Sequence, residues 1–468
     1  MIRKWFVAVS AAVFPLITAV YFAGRSVTAE ANSAPPYWEG TDASGAIVKG
    51  EACPVVVEKE VLTLNIGSLP RQGKLELDSY YAEAIAEYSF YNPTDLDVDM
   101  TLLFPFGEFP SYVSEVAGDE VSAVSVDGVE TECNVRHTYA RDGRYSFDVD
   151  RDMSRVLEEK KSDTFYREDM PVTEYRLDIQ AQEKDFAMKL KLSFNAKKTR
   201  VLFPPELGAR LSISGGDMYA YTRFDEYEEK RAVFYAVGEP LDAVVPKLYD
   251  DKEDRELGAS YTSQNREMTF SQFAMSDWSE DTGVSETDWY NAFVDMLNER
   301  SGVGGSVDCF SLTSGDLMRW YEYDMSIPAK GRATNRVRAP LYPTVEGNKN
   351  PRYEYSYLLS PAGKWADFKG IEICINTPFY LSNGSLDFER RENEEGRGFS
   401  YVYTRDALPQ GELTFVLTEK DAADSDFNVF GKDFFHPSLT WAFVTLTVLA
   451  VVAAVVTVVV VVSLRKKK

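Results

Sequence analysis

The sequence predicts a mainly β protein with β-sandwich-like modules, a small helical insert and a C-terminal transmembrane helix. Three observations predict this fold class. Runs of alternating apolar and polar residues recur along most of the 468-residue chain, which is typical of half-buried strands. Helical spacing replaces the alternation near residues 285–325. Finally, the apolar run at residues 438–464 contains no charged side chain.

The apolar run Ser438–Leu464 is longer than the ~20 residues that a membrane-spanning helix needs. A basic tail, residues 465–468, follows it, and basic residues stay on the cytoplasmic side of a membrane. The run therefore predicts a single-pass protein of the cell membrane, with a cytoplasmic C-terminus and an extracellular domain before the helix.

Residues 1–31 resemble a secretory leader. Arg3 and Lys4 precede an apolar run, and Ala29 and Ala31 form an A-x-A cleavage pattern. We expect either a signal peptide removed after Ala31 or an N-terminal anchor. Both alternatives place the following residues outside the membrane.

The composition and net charge indicate whether the chain folds and which kinds of partner it can bind. A hydrophobic content of 44%, with 13% aromatic residues, is enough to build packed cores and argues against wholesale disorder. The net charge of −24 argues against binding to nucleic-acid phosphates, which needs a basic face, so we expect no nucleic-acid partner. Solubility explains such a charge; binding of cations or of a basic partner is the alternative.

Four cysteines occur in the sequence, and no C-x-x-C pair does. Their spacing outside a membrane suggests disulfides Cys53–Cys133 and Cys309–Cys374. Buried free thiols are the alternative interpretation.

Strand signals fill the first half of the chain from Cys53, with VVVEKEVLTLNI, AIAEYSFYN and DVDMTLLFPF. Asp127-Gly128 and Asp142-Gly143 predict hairpin turns, because these turns need positive φ. Residues 152–161 predict one short surface helix. The segment FAMKLKLSFN predicts a strand with one apolar face, made by Phe186, Met188, Leu190, Leu192 and Phe194.

The helical insert is predicted from Ser285, which forms a capping-box pattern with Asp288, to about Gly302. A second helix is predicted around DLMRWYEY, residues 316–323. Strands return with RYEYSYLLSP, IEICI, FSYVYT and ELTFVL. The aromatic residues in this last part predict a core, with exposed stacking on sugars or proteins as the alternative.

These signals divide the chain into seven segments: a leader or anchor at 1–31, a β-rich module at 32–250, a linker and helical insert at 251–340, a second β-rich module at 341–420, a juxtamembrane linker at 421–437, the transmembrane helix at 438–464 and the cytoplasmic tail at 465–468.

Candidate chemistry is sparse. Asp148, Asp150 and Asp152 have D-x-D-x-D spacing at the end of a predicted strand, which makes them a candidate calcium site. A solvated strand face is the simpler interpretation, and we expect no other cofactor. Of the two histidines, only His137 lies where a Ser-His-Asp triad would need it, without a G-x-S-x-G motif. The sequence thus predicts no catalytic residue.

Two blocks carry a resemblance. VVVEKEVLTLNI with AIAEYSFYNPTDLDVDMTLLFPF, and YSYLLSPAGKWADFKGIEICINTP with GELTFVL, resemble bacterial membrane-anchored extracellular proteins with β-sandwich-like modules. The resemblance covers about half of the chain. It implies a β-rich fold on a bacterial surface, and no catalytic residues.

The leading functional expectation is a non-enzymatic cell-surface binding or scaffolding protein that meets a protein or a cell-wall glycan. A cell-envelope hydrolase using a carboxylate pair is the alternative, since such enzymes need only two acidic residues about 5–10 Å apart.

Overall fold

The structure is a computed structural model. It describes residues 42–421 except for 45, 50–52, 71–81, 109–122, 141–147, 228, 251, 254, 259, 309, 348–350 and 393–397. The predicted leader, Asp142-Gly143, the membrane helix and the basic tail lie outside these residues. In the described part of the chain, no helix is both long and apolar enough to cross a membrane.

Strands dominate the described residues, and helices are few. The strands are β1 Asp42–Ser44, β2 Ile47–Val48, β3 Cys53–Ile66, β4 Ala82–Tyr91, β5 Val98–Glu108, β6 Ala123–Val126, β7 Val129–Glu130, β8 Asn134–Tyr139, β9 Pro171–Gln180, β10 Phe186–Ser193, β11 Thr199–Phe203, β12 Arg210–Ser214, β13 Asp217–Phe224, β14 Arg231–Gly238, β15 Ala243–Asp250, β16 Ser260–Thr269, β17 Ser306–Asp308, β18 Leu317–Ile327, β19 Arg332–Pro340, β20 Thr344–Glu346, β21 Arg352–Leu358, β22 Trp365–Phe368, β23 Ile371–Thr377, β24 Tyr380–Gly384, β25 Glu389–Glu392, β26 Phe399–Arg405 and β27 Leu413–Thr418. The α-helices are α1 Val149–Met153, α2 Phe270–Ala274 and α3 Glu286–Glu299.

Three sheets form what we call the host sandwich. Sheet I has nine strands in the order β25-β26-β23-β3-β4-β19-β6-β7, with β22 beside β3. Sheet II has the order β2-β5-β18-β8, and sheet III the order β1-β21-β27-β24, with β20 beside β21. Buried residues of all three sheets share one hydrophobic core, which includes Leu62 of sheet I, Phe104 of sheet II and Tyr355 of sheet III.

Residues 148–312 contribute the other two sheets, and we call this part of the chain the inserted module. Its sheet IV has the order β16-β9-β14-β11-β17, and its sheet V has the order β12-β13-β10-β15. The two sheets enclose a separate core, with Leu177 and Phe234 on one side and Leu190 on the other. Helices α2 and α3 cover the opposite face of sheet IV, where Phe293 packs in the same cluster as Val172 and Leu202.

The inserted module enters between two neighbouring strands of sheet II. Strands β8 and β18 pair antiparallel, with Tyr139 opposite Leu317. The chain therefore leaves the host sandwich at the end of β8, builds the inserted module and returns to the adjacent position as β18.

The predicted strands are confirmed with small changes at their ends, and Asp127-Gly128 forms the expected turn with φ of 50° and 77°. The predicted domain boundaries divide the chain differently from the sheets. Strand β3, from the predicted 32–250 module, pairs with β23, from the predicted 341–420 module. The predicted 251–340 insert contains strands β16, β18 and β19 beside helix α3.

Two helix predictions need correction. The second predicted helix, around DLMRWYEY, is strand β18, because both of its edges are filled by β5 and β8. The tertiary pairing overrides the local helical spacing. The predicted helix at 152–161 is only the short α1, which ends at Met153.

Candidate binding site

The outer face of sheet V carries rows of basic and aromatic side chains. Directly opposed residues of antiparallel strands point to the same face. One row joins Arg210 on β12, Tyr221 on β13, Lys189 on β10 and Lys247 on β15. The next rows add Tyr219 and Lys191, and then Arg223 and Tyr249. We call these eight residues the tyrosine–lysine face.

A groove of about 820 Å³ lies over one end of this face. Ala187 is part of its floor, because this small residue lies opposite both Arg223 and Tyr249. Glu206 and Glu253 also line the groove, from the connections that border the sheet. Ligand-binding clefts usually measure ~300–1,000 Å³, so the groove has the size of a small-ligand or oligosaccharide site.

Lys189 is held by the aromatic rings of the face. Its Nζ lies 4.7 Å from the ring centroid of Tyr219 and 5.3 Å from that of Tyr221. Both distances are within the range of cation–π attraction. The hydrogen bond to Tyr221 raises the pKa of Lys189, so this side chain is a fixed positive charge at neutral pH.

The other cations differ in their partners. Lys191 pairs with Asp217 at 2.8 Å, and Lys247 pairs with Glu256 at 3.0 Å. Arg223 pairs with Glu253 at 2.8 Å. Within the described residues, neither Lys189 nor Arg210 has a carboxylate within 4 Å of its charged nitrogens. These two cations are therefore available to a ligand.

The alternating sequence of β10 indicates two faces, but the prediction above uses only the apolar one. Met188, Leu190 and Leu192 face the core as predicted. The residues between them, Lys189 and Lys191, form the opposite face. Only the strand order brings Tyr219 and Tyr221 beside these lysines.

The predicted calcium ligands have cationic or backbone partners in the structure. Asp148 caps α1 by accepting a hydrogen bond from Arg151 N at 2.9 Å. Asp150 pairs with Lys364, and Asp152 pairs with Arg151 at 2.7 Å. Among the described residues, no three His, Cys, Asp or Glu side chains are grouped as metal ligands. Calcium binding by these aspartates stays a prediction from their spacing.

The predicted disulfides are wrong for the described cysteines, since Cys53, Cys133 and Cys374 are free. Cys53 begins β3, whereas Cys133 follows β7, and three strands of sheet I lie between them. Cys133 also directly precedes β8 of sheet II, whereas Cys53 lies in sheet I. Cys309 lies outside the described residues. Burial raises the pKa of Cys53 and of Cys374, which lowers their reactivity.

His137 lies in a buried ionic cluster at the junction of the host sandwich and the inserted module. Its backbone N–H donates to Asp288 at 2.9 Å, and Asp288 pairs with Arg136 at 3.0 Å. Burial, assisted by the charges of Arg319 and Arg136, lowers the pKa of His137 to about 4. The ring is therefore neutral at pH 7 and packed between strands, as expected for an ordinary strand residue.

Glu60 is the carboxyl group whose raised pKa bears on the hydrolase alternative. It is 1% exposed inside the host sandwich and accepts a hydrogen bond from Tyr88 at 3.1 Å. Burial raises its pKa to about 7. A glycosidase needs two carboxylates across a cleft that a sugar enters. Glu60 faces tyrosines in a closed core, so it does not provide that geometry.

The aromatic residues near the second predicted module form core. Tyr353, Tyr355 and Tyr357 are each 2% exposed or less and belong to the host core. Trp365 is also buried, and its indole N–H donates to Ala46 O at 3.1 Å. These residues offer no surface to a partner.

The comparisons with known proteins give little. No known protein family and no curated protein matches the chain. One similar solved structure is described as a "putative nutrient binding protein" from Legionella pneumophila, with 8% sequence identity and a TM-score of 0.37. The alignment covers 82% of this chain and 72% of that chain. A likeness at this TM-score supports no conclusion about fold or function.

Proposed function

We propose that this protein is a non-enzymatic binding protein and that its ligand occupies the groove on the tyrosine–lysine face. One observation carries the proposal: the groove combines the rings of Tyr221 and Tyr249 with the cations Lys189 and Arg210. Aromatic rings supply contact area at low entropic cost, and fixed cations orient a polar ligand.

The groove favours binding over hydrolysis. Two carboxylates, Glu206 and Glu253, line it, and Glu253 is neutralised by Arg223 at 2.8 Å, so the groove does not present two free carboxylates facing each other. Glu60, whose pKa is raised to about 7, lies in the host core and not in the groove.

The binding test uses the full-length protein in detergent, titrated with a panel of neutral and acidic oligosaccharides. We expect a ligand whose affinity falls about tenfold in Tyr221→Ala, as for a central aromatic contact. Tyr227→Ala is the matched control, because Tyr227 is 89% exposed and lies outside the face. Mass spectrometry should recover the ligand intact.

Two outcomes contradict the proposal. Cleavage of the ligand during the titration supports the hydrolase. Equal binding by wild type and Tyr221→Ala, for every ligand bound, places the site elsewhere.

We also propose that residues 438–464 anchor the protein in the cell membrane, with the binding domain outside the cell. The uncharged run and its basic tail support this topology. Protease added to intact cells should remove the domain and leave the C-terminal tail protected. Protection of the whole protein contradicts the topology.

A further inference from the structure

We infer that the ligand of the groove is an acidic oligosaccharide, in which a carboxylated sugar alternates with neutral sugars. This inference rests on the proposed function and names the ligand class for the same site. The spacing of the cations, the position of the rings and the acidic residues around them support this ligand class.

The two available cations lie on opposite sides of one tyrosine. Arg210 is directly opposite Tyr221, and Tyr221 is directly opposite Lys189. Neighbouring strands are ~4.8 Å apart, so the backbones of Arg210 and Lys189 are separated by roughly 10 Å. A ligand across the strands meets the cation of Arg210 first, and then the cation of Lys189, which lies over the rings of Tyr219 and Tyr221.

The charge of the whole chain makes this arrangement selective. The protein carries −24, yet Lys189 and Arg210 have no carboxylate partner within the described residues. Unmatched cations on an acidic protein attract an anionic group of a ligand. A neutral oligosaccharide would leave both cations without a counter-charge.

The acidic residues beside the face limit how many charges the ligand carries. Asp217, Glu253 and Glu256 neutralise the remaining cations, and Glu206 adds a further negative charge at the groove. A dense polyanion, such as polyphosphate or nucleic acid, would meet these carboxylates between its contacts with Lys189 and Arg210. Widely spaced charges avoid that repulsion.

The tyrosine rings account for the neutral sugars. Tyr219, Tyr221 and Tyr249 are half-buried on the outer face, so each ring is supported by the sheet and partly open to solvent. A sugar ring presents a flat face of C–H groups, which suits contact with an aromatic ring. The ligand then places its carboxylates at the cations and its neutral rings on the tyrosines.

The test compares three probes with the full-length protein in detergent: a hyaluronan hexasaccharide, the same hexasaccharide with its carboxyl groups reduced to alcohols, and polyphosphate. We expect the hexasaccharide to bind, and its affinity to fall about tenfold on carboxyl reduction. Lys189→Gln and Arg210→Gln should each lower affinity for the acidic probe and leave the reduced probe within about twofold. Lys197→Gln, an exposed lysine outside the face, is the control.

The outcomes separate this inference from the proposed function. Equal binding of acidic and reduced probes, weakened by Tyr221→Ala, preserves the binding site and overturns the acidic-ligand inference. Tighter binding of polyphosphate than of the hexasaccharide also overturns it. Failure of all three probes, with another ligand bound through Tyr221, overturns the inference and leaves the site in place.

Discussion

Glu60 is a carboxyl group enclosed in the host core, and its environment predicts a pH dependence of stability. Its pKa is raised from 4.5 to about 7 by burial, which outweighs the hydrogen bond from Tyr88. Below pH 4.5 the folded and unfolded states both hold the proton. Between pH 4.5 and 7 only the folded state does, so stability falls as pH rises, by about 3 kcal/mol at most.

The variant Glu60→Gln should remove this pH dependence. Its amide oxygen can still accept from Tyr88, and it carries no charge that burial penalises. Urea unfolding at pH 4.5 and pH 8 should show Glu60→Gln to be more stable than wild type only at the higher pH. Glu87→Gln, on the exposed side of the same sheet, is the control. A parallel pH dependence in wild type and Glu60→Gln contradicts the assignment.

Asp288 is the second residue whose substitution should have a large effect on the free energy of unfolding. It is 2% exposed, accepts from His137 N and pairs with Arg136, which also contacts Glu322 at 2.7 Å. Asp288→Ala leaves buried donors unpaired, which should lower the free energy of unfolding by about 3 kcal/mol. Urea unfolding measures this, with Glu286→Ala in the same helical turn as an exposed control. A loss equal to that of the control would show that the ion pair contributes little.

At the scale of one element, helix α3 shows which features the local sequence predicts and which it does not. Ser285 was predicted as its cap, and its hydroxyl accepts from Asp288 N at 3.1 Å. The second half of the capping box is absent, because the carboxylate of Asp288 turns to Arg136 instead. Short-range patterns located the helix, and a contact from a residue 152 positions away decided the role of Asp288.

Ser285→Ala tests that cap. Loss of one capping hydrogen bond should lower the free energy of unfolding by about 1 kcal/mol. Ser279→Ala is the matched control, because Ser279 precedes a short helical turn without a side-chain cap bond. Equal effects of the two substitutions in urea unfolding would mean that α3 does not depend on its cap.

Strand β18 marks the limit of sequence analysis at the same scale. Its burial pattern shows seven consecutive buried residues from Leu317 to Tyr323, so the alternation that identifies a strand is missing. The reason is that β18 is covered on both faces: Trp320 packs with Val156 of the inserted module, and Tyr321 packs in the host core. A strand buried on both sides cannot be distinguished from a buried helix by periodicity.

The tyrosine–lysine face could not be predicted from the sequence for a related reason. Its rows join four strands that only the fold brings together.

At the scale of the whole molecule, the insertion predicts that the host sandwich folds without the inserted module. Its core contains no residue from 148–312, and Tyr139 and Leu317 are already paired at the insertion point. A two-residue Asn-Gly turn in place of residues 140–316 suits such an antiparallel pair. In this shortened chain, Arg136 would face water. The loss of its partner Asp288 would therefore not leave the charge of Arg136 buried.

Removal of the inserted module uncovers Met318 and Trp320 on sheet II, which pack with Val156, and also Tyr139 and Leu317, which flank the new turn. With Met318→Thr and Trp320→Thr included, we expect a β-type circular dichroism spectrum and one cooperative urea transition. A deletion of similar length, residues 171–340, is the control: it removes β18 and β19 from the host sheets and should abolish cooperative unfolding. If the excised chain also lacks a cooperative transition, the two units form one folding unit, and the ionic cluster around Asp288 is part of a shared core.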